Sequence, residues 1–425
     1  MKLRELSDQA AMSVILPSLR GARRLALCCL LSFIAVEAKA QNANAGENGL
    51  TPVELLGKRI FEDTSLSRPA GVSCASCHDA TKAFQGVNGS PIAAVARGSL
   101  PTSFGKRNTP TIMYASFAPP FSFVEEKDEE SGKVEMVPVG GQFLDGRASD
   151  LLAQFEGPLL DPLEMNAPSK RFAVEAIRDG AYADLARKVY GEKIFDDPDA
   201  AFEKLAQAVV AFESSARFHP FASKFDDYLR GQAQLTATEK KGFELFKDPK
   251  KGNCLACHVG KEDSREPKDW LFTDFTYDAL GAPRNRAIPV NAGAGFFDLG
   301  LCKRPGLDKI APAGFDAASV CGAFKVPTLR NIAVTGPYLH NGVFTSLRDV
   351  VAFYATRDTD PARWYPKGEK GKPEKFDDLP SNYRENVNVK EAPYDRKPGQ
   401  KPRLSDKEID AIVAFLETLT DHPQQ

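Results

Sequence analysis

The motif Cys-x-x-Cys-His occurs twice in this chain, at residues 74–78 and at residues 254–258. Two thiols one helical turn apart bond to the two vinyl groups of one porphyrin, and the adjacent imidazole becomes an axial ligand of the iron. A zinc site would need two more Cys or His nearby, and a thioredoxin-type site would not need the His. Both motifs therefore predict covalently bound haem c. The predicted attachment residues are Cys74, Cys77 and His78 for the first haem, and Cys254, Cys257 and His258 for the second.

A similar segment precedes each motif. TPVELLGKRIFED (51–63) aligns with TATEKKGFELFKD (236–248), with Thr, Glu, Gly, Phe and Asp at the same spacing. Thr-x-x-Glu is a capping box that starts a helix, so each copy predicts a helix before its haem. With 425 residues there is room for two domains. We expect an all-α fold of two cytochrome c-like helical haem domains with long irregular loops, at residues 41–230 and 231–425.

The rest of the chain is also mostly helical in pattern. Apolar residues repeat at helical spacing in 199–212 and in 405–419, and the second of these segments starts with a Ser-x-x-Glu capping box. One possible hairpin lies in 121–139, with an acidic tip. Residues 365–404 are polar and rich in Pro, Lys and Asp, which predicts a long irregular segment that must pack against something.

The first 40 residues have the features of a secretory signal peptide. A basic flank at 20–24 precedes 14 mostly apolar residues at 25–38, and the small-x-small sequence AKA ends at Ala40. A membrane anchor would need about 20 apolar residues. We expect cleavage near Ala40, export to the periplasm and no membrane anchor afterwards.

Cys302 and Cys321 remain once the two motifs and the leader are set aside. In an oxidising compartment they are expected to form a disulfide, and the alternative is a pair of free buried thiols. The net charge of −2 gives no indication of a nucleic-acid partner.

The second axial position of each iron decides between electron transfer and chemistry. The remaining candidates are His219, His340 and His422, and for the first haem Met113, Met136 and Met165. We expect a structural role for His219 and a solvated side chain for His422. The residues alone leave open whether the first iron is capped by Met or has a vacant position.

Longer stretches resemble the bacterial dihaem cytochrome c peroxidases, including the MauG branch. They are KRNTPT (106–111), QFLDGRASDLLAQFEGPLLDPLEM (142–165) and KVPTLRNIAVTGPYLHNGVFTSLRDVVAFY (325–354), in the family's order. The resemblance covers nearly the whole mature chain. It implies that the first haem reduces hydrogen peroxide to water with electrons from an external donor, for which we expect a small cytochrome c or a cupredoxin.

The family pattern assigns the pocket over the first haem to Gln154, Glu164 and Pro158. Cleavage of the O–O bond needs a group that moves a proton between the two oxygens, and a carboxylate can do this. Taken alone, Glu164 would be interpreted as a surface carboxylate. The distal His of many members has no counterpart, since no His occurs between 79 and 218. The resemblance therefore favours an open first haem.

The resemblance also predicts the second axial ligand of the second haem. Many members have Met 14 residues after the His that corresponds to His340, whereas the MauG branch has Tyr. This chain has Tyr354 there. We expect His258/Tyr354 ligation and a low reduction potential, with His340 hydrogen bonding nearby. The alternative for Tyr354 is an aromatic residue of the core.

A calcium ion is bound between the haems in this family by an Asn side chain and two backbone carbonyls. The matching residues are Asn108, Thr335 and Pro337, and oxygen ligands suit this hard cation. The alternative is that Asn108 and Thr335 only cap turns.

Two departures separate the chain from MauG. Leu144 replaces the Trp that relays electrons between the haems, and Gly252 replaces a surface Trp used to oxidise a protein substrate. Trp270 and Trp364 are possible substitutes. We therefore favour a peroxidase, and keep as alternatives a MauG-like enzyme that oxidises side chains of a partner protein and a non-catalytic dihaem electron carrier.

Overall fold

Short helices joined by long loops make up most of residues 49–127 and 132–422, the part of the chain that the computed structural model describes. The helices are α1 (Pro52–Phe61), α2 (Cys74–Cys77), α3 (Leu151–Gln154), α4 (Glu156–Leu160), α5 (Lys170–Arg178), α6 (Ala183–Tyr190), α7 (Pro198–Glu213), α8 (Lys224–Leu229), α9 (Ala237–Lys247), α10 (Pro289–Ala292), α11 (Leu307–Ile310), α12 (Leu347–Thr356) and α13 (Asp406–Glu417). The predicted signal peptide lies outside the described residues.

The strands form two small antiparallel pairs. They are β1 (Ser122–Lys127) with β2 (Val134–Val139), and β3 (Tyr277–Asp278) with β4 (Phe324–Lys325). The first pair is the predicted hairpin, in register from Ser122 opposite Val139 to Lys127 opposite Val134. Its tip, residues 128–131, lies outside the described residues. The mainly helical character is confirmed, with these two pairs added to it.

Local sequence signals set where the helices begin. The Thr236 hydroxyl accepts a hydrogen bond from the N–H of Glu239, whose carboxylate accepts one from the N–H of Thr236. At α13 the N–H and hydroxyl of Ser405 both donate to the carboxylate of Glu408. These contacts satisfy N–H groups that the first helical turn leaves unpaired, and they confirm the predicted starts.

Two helix crossings repeat in the structure. Gly57 of α1 packs so closely on α7 that a Cβ at this position would lie 1.9 Å from the carbonyl oxygen of Ala208. Gly242 of α9 packs on α13 in the same way, since a Cβ added there would lie 1.9 Å from the carbonyl oxygen of Ala411. Only glycine allows this approach of two backbones, which explains why both copies of the repeated segment carry it.

The same ring geometry accompanies each crossing. Phe61 lies 5.5 Å from Phe212 at an interplanar angle of 62°, and Phe246 lies 5.3 Å from Phe415 at 61°. Edge-to-face contacts of this kind stabilise a core beyond the area they bury. The two crossings are therefore a structural repeat, while the predicted division into two cytochrome c-like domains near residue 230 stays a prediction.

The irregular segment 365–404 packs against α12, as its length requires. Buried side chains of Tyr365, Phe376 and Val387 form one apolar cluster with Phe353 of α12. The predicted disulfide between Cys302 and Cys321 is confirmed. Among the described residues no helix combines the length and apolarity that crossing a bilayer requires.

Candidate active site

The first Cys-x-x-Cys-His motif forms the single turn α2 with His78 at its end. The N–H of His78 donates to the carbonyl oxygen of Cys74 at 2.9 Å, and the ring Nδ1 lies 2.9 Å from the carbonyl oxygen of Phe84. Phe84 has a positive φ of 54°, an uncommon conformation for a bulky residue. A carbonyl can only accept, so Nδ1 carries the proton and Nε2 is left with its lone pair.

The second motif repeats this arrangement. The N–H of His258 donates to Cys254 at 2.9 Å, and its Nδ1 lies 3.0 Å from the carbonyl oxygen of Phe272, which has a φ of 56°. Burial lowers the pKa of His78, and it lowers the pKa of His258 to about 4. Both rings are therefore neutral, with the tautomer fixed by a backbone carbonyl. This is the usual preparation of a metal-ligating histidine.

A largely apolar cavity of about 320 Å³ surrounds the second motif. Its lining includes Cys254, Cys257 and His258, and also Tyr354 from α12 and Tyr394. The two tyrosine rings are 5.6 Å apart. Burial raises the pKa of Tyr354, so a phenolate here requires a cation such as iron as its partner. The structure thus brings the predicted ligand to the same cavity as the motif.

A buried cationic cluster lies behind these tyrosines. Arg357 is fully buried, and its guanidinium lies 4.6 Å from the centroid of the Tyr394 ring. It pairs with Asp358 at 2.6 Å and donates to the carbonyl oxygen of Leu280 at 2.8 Å. Lys375 also pairs with Asp358. Two cations share this carboxylate, and Asp278 in the cavity lining acts on the pKa of Tyr354 in the direction opposite to Arg357.

The residues assigned to the first haem pocket lie on α3, α4 and the turn after them. Gln154 ends α3, and half-buried Pro158 lies in α4. The N–H of Met165 donates to the carbonyl oxygen of Pro158 at 3.1 Å, which folds the turn that carries Glu164 back onto α4. The carbonyl oxygen of Glu164 accepts from the N–H of Ser99 at 2.7 Å. The backbone thus fixes all three residues in one local unit.

Glu164 is half-buried, and the charge of its carboxyl acts on Cys77 of the first motif. Burial, helped by the charge of Asp161, raises the pKa of Glu164 to about 7, while Arg147 and Lys106 work in the opposite direction. Burial raises the pKa of the Cys77 thiol to about 12, and the charge of Glu164 adds to this. The electrostatic contact places the carboxyl near the cysteine. A carboxyl with a pKa near 7 can both take and give a proton at neutral pH.

The three predicted calcium ligands converge on the wall of the same large cavity. Asn108, Thr335 and Pro337 all line it, and the side-chain N–H of Asn108 donates a hydrogen bond to the carbonyl oxygen of Pro337 at 2.5 Å. Amide and carbonyl oxygens form a donor set that fits calcium. His340 lines this cavity too, stacks on Phe324 at 3.8 Å and contacts Asp378 at 2.9 Å. The calcium site itself stays a prediction.

The structure shows where the two residues that depart from the MauG pattern, Leu144 and Gly252, lie. Gly252 is buried, and a Cβ there would lie 2.6 Å from the carbonyl oxygen of Leu245, so this backbone leaves no room for Trp. Leu144 lines the cavity. Trp270 is buried against Gly260, whereas Trp364 is half-buried under the guanidinium of Arg363.

The remaining histidines and methionines lie as follows. His422 is exposed, as expected, and His219 is packed between aromatic rings with its Nδ1 buried and without a partner among the described residues. Met136 is exposed on β2, which places it in the hairpin, while Met113 and Met165 are buried.

Sequence reasoning missed three residues of these sites. Tyr394, Arg357 and Glu213 are all buried close to a haem motif. For Glu213 a signal existed, because VVAFE (209–213) aligns with IVAFL (412–416) and places a Glu where its counterpart has Leu.

The geometry fits haem at both motifs. Each has two thiols on one turn and a neutral imidazole whose Nδ1 contacts a backbone carbonyl, and the second also has a cavity and a tyrosine beside it. Two such sites occur in one chain: the second has a cavity lined by Tyr354, Asp278 and Glu391, and at the first the charge of Glu164 acts on Cys77. They define a dihaem c-type protein with two unequal haem sites.

Comparison with known proteins gives the family. A family model described as di-haem cytochrome c peroxidase matches residues 52–234. The methylamine utilization protein MauG of Paracoccus denitrificans is 36% identical over 405 residues, 93% of this chain and 96% of that protein. The cytochrome c551 peroxidase of Pseudomonas aeruginosa is 29% identical over 70% of each chain. The chain belongs to the dihaem cytochrome c peroxidase and MauG family, and two haem c groups are the family's cofactors.

Comparison with solved structures supports the same family. The diheme peroxidase BthA from Burkholderia thailandensis is 41% identical, covers 87% of this chain and 86% of its own, and has a TM-score of 0.79. A MauG-like protein associated with microbial copper homeostasis is 24% identical with a TM-score of 0.59, covering 89% of this chain and 91% of its own. The second likeness supports the fold alone.

Proposed function

We propose that the protein is a periplasmic dihaem peroxidase that reduces hydrogen peroxide to water with electrons from an external donor. One observation carries the proposal: Glu164 is a half-buried carboxyl with a pKa raised to about 7, and its charge acts on Cys77 of the first haem motif. An electron carrier has no need of a proton-transfer group at this place. Peroxide reduction needs one, since a proton must pass between the two oxygens.

The chain's own residues then have distinct tasks. Haem bound at the first motif supplies an iron at which peroxide can be cleaved. Glu164 takes the proton from one peroxide oxygen and returns it to the oxygen that leaves as water. Gln154 orients the peroxide, and Pro158 limits the space above the site. His78 keeps its Nε2 for the metal because its Nδ1–H is bound to Phe84.

A haem held at the second motif would supply redox chemistry for electrons from the donor. Tyr354, which lines the same cavity as His258, would hold its iron through a phenolate oxygen, a ligand that favours the oxidised state. A small cytochrome c or a cupredoxin suits the donor role. A calcium ion held by Asn108 and the carbonyl oxygens of Thr335 and Pro337 would join residues that are far apart in sequence. Cleavage near Ala40 and export would agree with the Cys302–Cys321 disulfide.

A MauG-like enzyme that oxidises a partner protein is the second candidate. The similarity to MauG of Paracoccus denitrificans and Tyr354 favour it. Gly252 disfavours it, because a Trp cannot be placed there in this backbone. Trp364, half-buried and stacked by Arg363, is the tryptophan better placed than Trp270 to reach a partner.

The deciding experiment uses the purified diferric protein and one equivalent of hydrogen peroxide. A high-spin component in the ferric spectrum, with rapid turnover of a reduced small cytochrome, supports the peroxidase. Slow decay of the oxidised protein without such turnover supports the MauG-like enzyme. Two low-spin haems that do not react with peroxide would overturn both and leave an electron carrier.

A further inference from the structure

The two repeated helix crossings differ at one position that faces haem. Phe212 of α7 and Phe415 of α13 are equivalent, because each packs edge-on against the Phe of the helix it crosses, at 5.5 and 5.3 Å. The next residue is Glu213 in the first crossing and Leu416 in the second. Leu416 lines the cavity of the second haem motif. The repeat thus places Glu213 in the wall of the first haem site.

Contacts in the first half agree with this placement. Glu213 is only 8% exposed. Burial raises the pKa of the Cys74 thiol, and the charge of Glu213 is the strongest electrostatic contribution to that increase. The carboxyl is therefore close enough to the cysteine of the first motif for its charge to act on it.

Glu213 is also alone. Within residues 49–127 and 132–422 its carboxyl forms no hydrogen bond or ion pair, and its pKa is raised to about 7 by burial, with no cation to lower it. A buried, unpaired carboxyl is costly in the ionised form. Leu416 shows that an apolar side chain is accommodated at the equivalent position of the second crossing. The fold therefore does not require Glu at position 213, and we infer that Glu213 has a functional role.

The other charged groups near Glu213 do not provide a partner for its carboxyl. Glu164 also raises the pKa of the Cys74 thiol. The pKa of Tyr182 is raised by burial and by Asp63, to which its hydroxyl donates a hydrogen bond, with a smaller contribution from Cys74. On α1 Lys58 pairs with Glu62, and on α5 Arg171 pairs with Glu175 and Arg178 with Asp179. Half-buried Arg217 follows α7 in the next turn and does not lower the pKa of Glu213.

We propose that Glu213 is a proton-binding site coupled to the first haem: its carboxyl takes up one proton when the haem iron takes up one electron, and releases it when the iron is oxidised. One negative charge enters with the electron and one positive charge with the proton, so the buried site keeps its net charge. This avoids the cost of an uncompensated charge in a medium of low dielectric constant. The inference depends on haem attachment at Cys74 and Cys77 and not on the peroxidase activity.

The test is a spectroelectrochemical titration of the holoprotein between pH 5.5 and 9. For one proton per electron the midpoint potential of the first haem falls by about 59 mV per pH unit, which corresponds to a tenfold change in proton concentration. Glu213→Gln, of the same shape, and Glu213→Leu, the residue at the equivalent position, are expected to remove this slope. Unchanged visible spectra show that both haems remain attached.

Glu164→Gln is the matched control, because Glu164 is the other acid near the first motif with a pKa of about 7. The slope should survive in this variant. A slope that persists in Glu213→Gln and disappears in Glu164→Gln assigns the proton to Glu164 and overturns the proposal, as does a wild-type potential that does not change with pH. Proton uptake on reduction, measured with an indicator dye in weak buffer, should be about one per first-haem electron in the wild type near pH 7.

Discussion

The two haem sites share a scaffold and differ in the side chains around it. In both, a glycine brings two helices into backbone contact, a Phe pair packs edge-on, and a backbone carbonyl of a positive-φ Phe holds the histidine Nδ1. The first site adds two acids, Glu164 and Glu213. The second has Leu416 where the first has Glu213, and its cavity is lined by Tyr354 and by the acids Asp278 and Glu391. The comparison teaches that one scaffold is used twice, whereas the side chains around it give each motif its own set of acids and candidate ligands.

The largest expected effect comes from removing the acid of the first site. Glu164→Gln should slow the reaction with hydrogen peroxide on the order of 10²–10⁴-fold, the usual contribution of a general acid–base. Stopped-flow absorbance with the diferric protein measures the rate, and the haem spectrum should show both haems in place. Because the pKa of Glu164 is about 7, the wild-type rate should rise as the pH approaches 7 from below, when the carboxylate form increases.

Glu156→Gln provides the control for this variant. Glu156 lies on α4 and pairs with Lys170 at 2.6 Å on the surface, with 45% of its side chain exposed. It should keep the wild-type rate. Equal rates for wild type and Glu164→Gln would remove the main functional difference between the two sites.

Substitution of the proposed ligand at the second site should change the reduction potential of the second haem. Tyr354→Met is expected to raise the reduction potential of the second haem by tenths of a volt, because a thioether does not stabilise oxidised iron as a phenolate does. Redox titration followed by absorbance measures it. Tyr394→Phe keeps the proposed ligand and should cause a much smaller shift. The reverse result would make Tyr394 the ligand and change the comparison of the two sites.

A buried ion pair also distinguishes the halves. Met113 and Arg330 each follow a Pro-Thr pair by two residues, but Arg330 forms a bidentate pair with Asp226, both fully buried. Arg330→Met leaves that carboxylate unpaired and should reduce the free energy of unfolding by about 3–5 kcal/mol. Urea unfolding measures the loss, and adding Asp226→Leu should restore much of it.

The pH dependence of this effect follows from the pKa of Asp226. Burial works to raise this pKa, but Arg330 and the hydrogen bonds from Ser223 together outweigh burial and lower it. The contribution of the pair is therefore complete above the unfolded value of about 3.9 and is lost as the pH falls through the lower folded value. The difference between wild type and Arg330→Met should shrink below pH 4, and a constant difference would contradict the assignment.

The parts of the fold that depend on local sequence were predictable. The capping boxes at Thr236 and Ser405 and the Cys302–Cys321 disulfide follow from short patterns or from counting residues, and the two motifs predict the two haem c groups of the family. Their determinants lie within a few residues of each other or in one leftover pair, so no tertiary information is needed.

The charged neighbours of the haems could not be predicted, because distant segments create their environments. Arg357 is buried only because carbonyl oxygens of Leu280 and Asn388 meet it from separate loops. Glu213 looks like an ordinary helix end until the crossing with α1 encloses it. Propensity and periodicity describe single elements, and neither reports which charge becomes buried between elements.

The smallest expected effect tests whether the two crossings are equivalent. Gly57→Ala and Gly242→Ala each place a Cβ 1.9 Å from a backbone oxygen, so the helices must separate. Overpacking of this kind should reduce the free energy of unfolding by about 1–3 kcal/mol in each case, after the gain of about 1 kcal/mol in helix propensity is included. Gly191→Ala, in a turn at a φ of 95° with open space around its Cβ position, measures backbone strain without crowding. Similar losses in both crossings, larger than this control, would confirm one scaffold used twice. A loss of stability in Gly242→Ala but not in Gly57→Ala would mean that α1 and α7 can separate to accommodate the added methyl group. The first crossing would then be more adaptable than the crossing of α9 and α13.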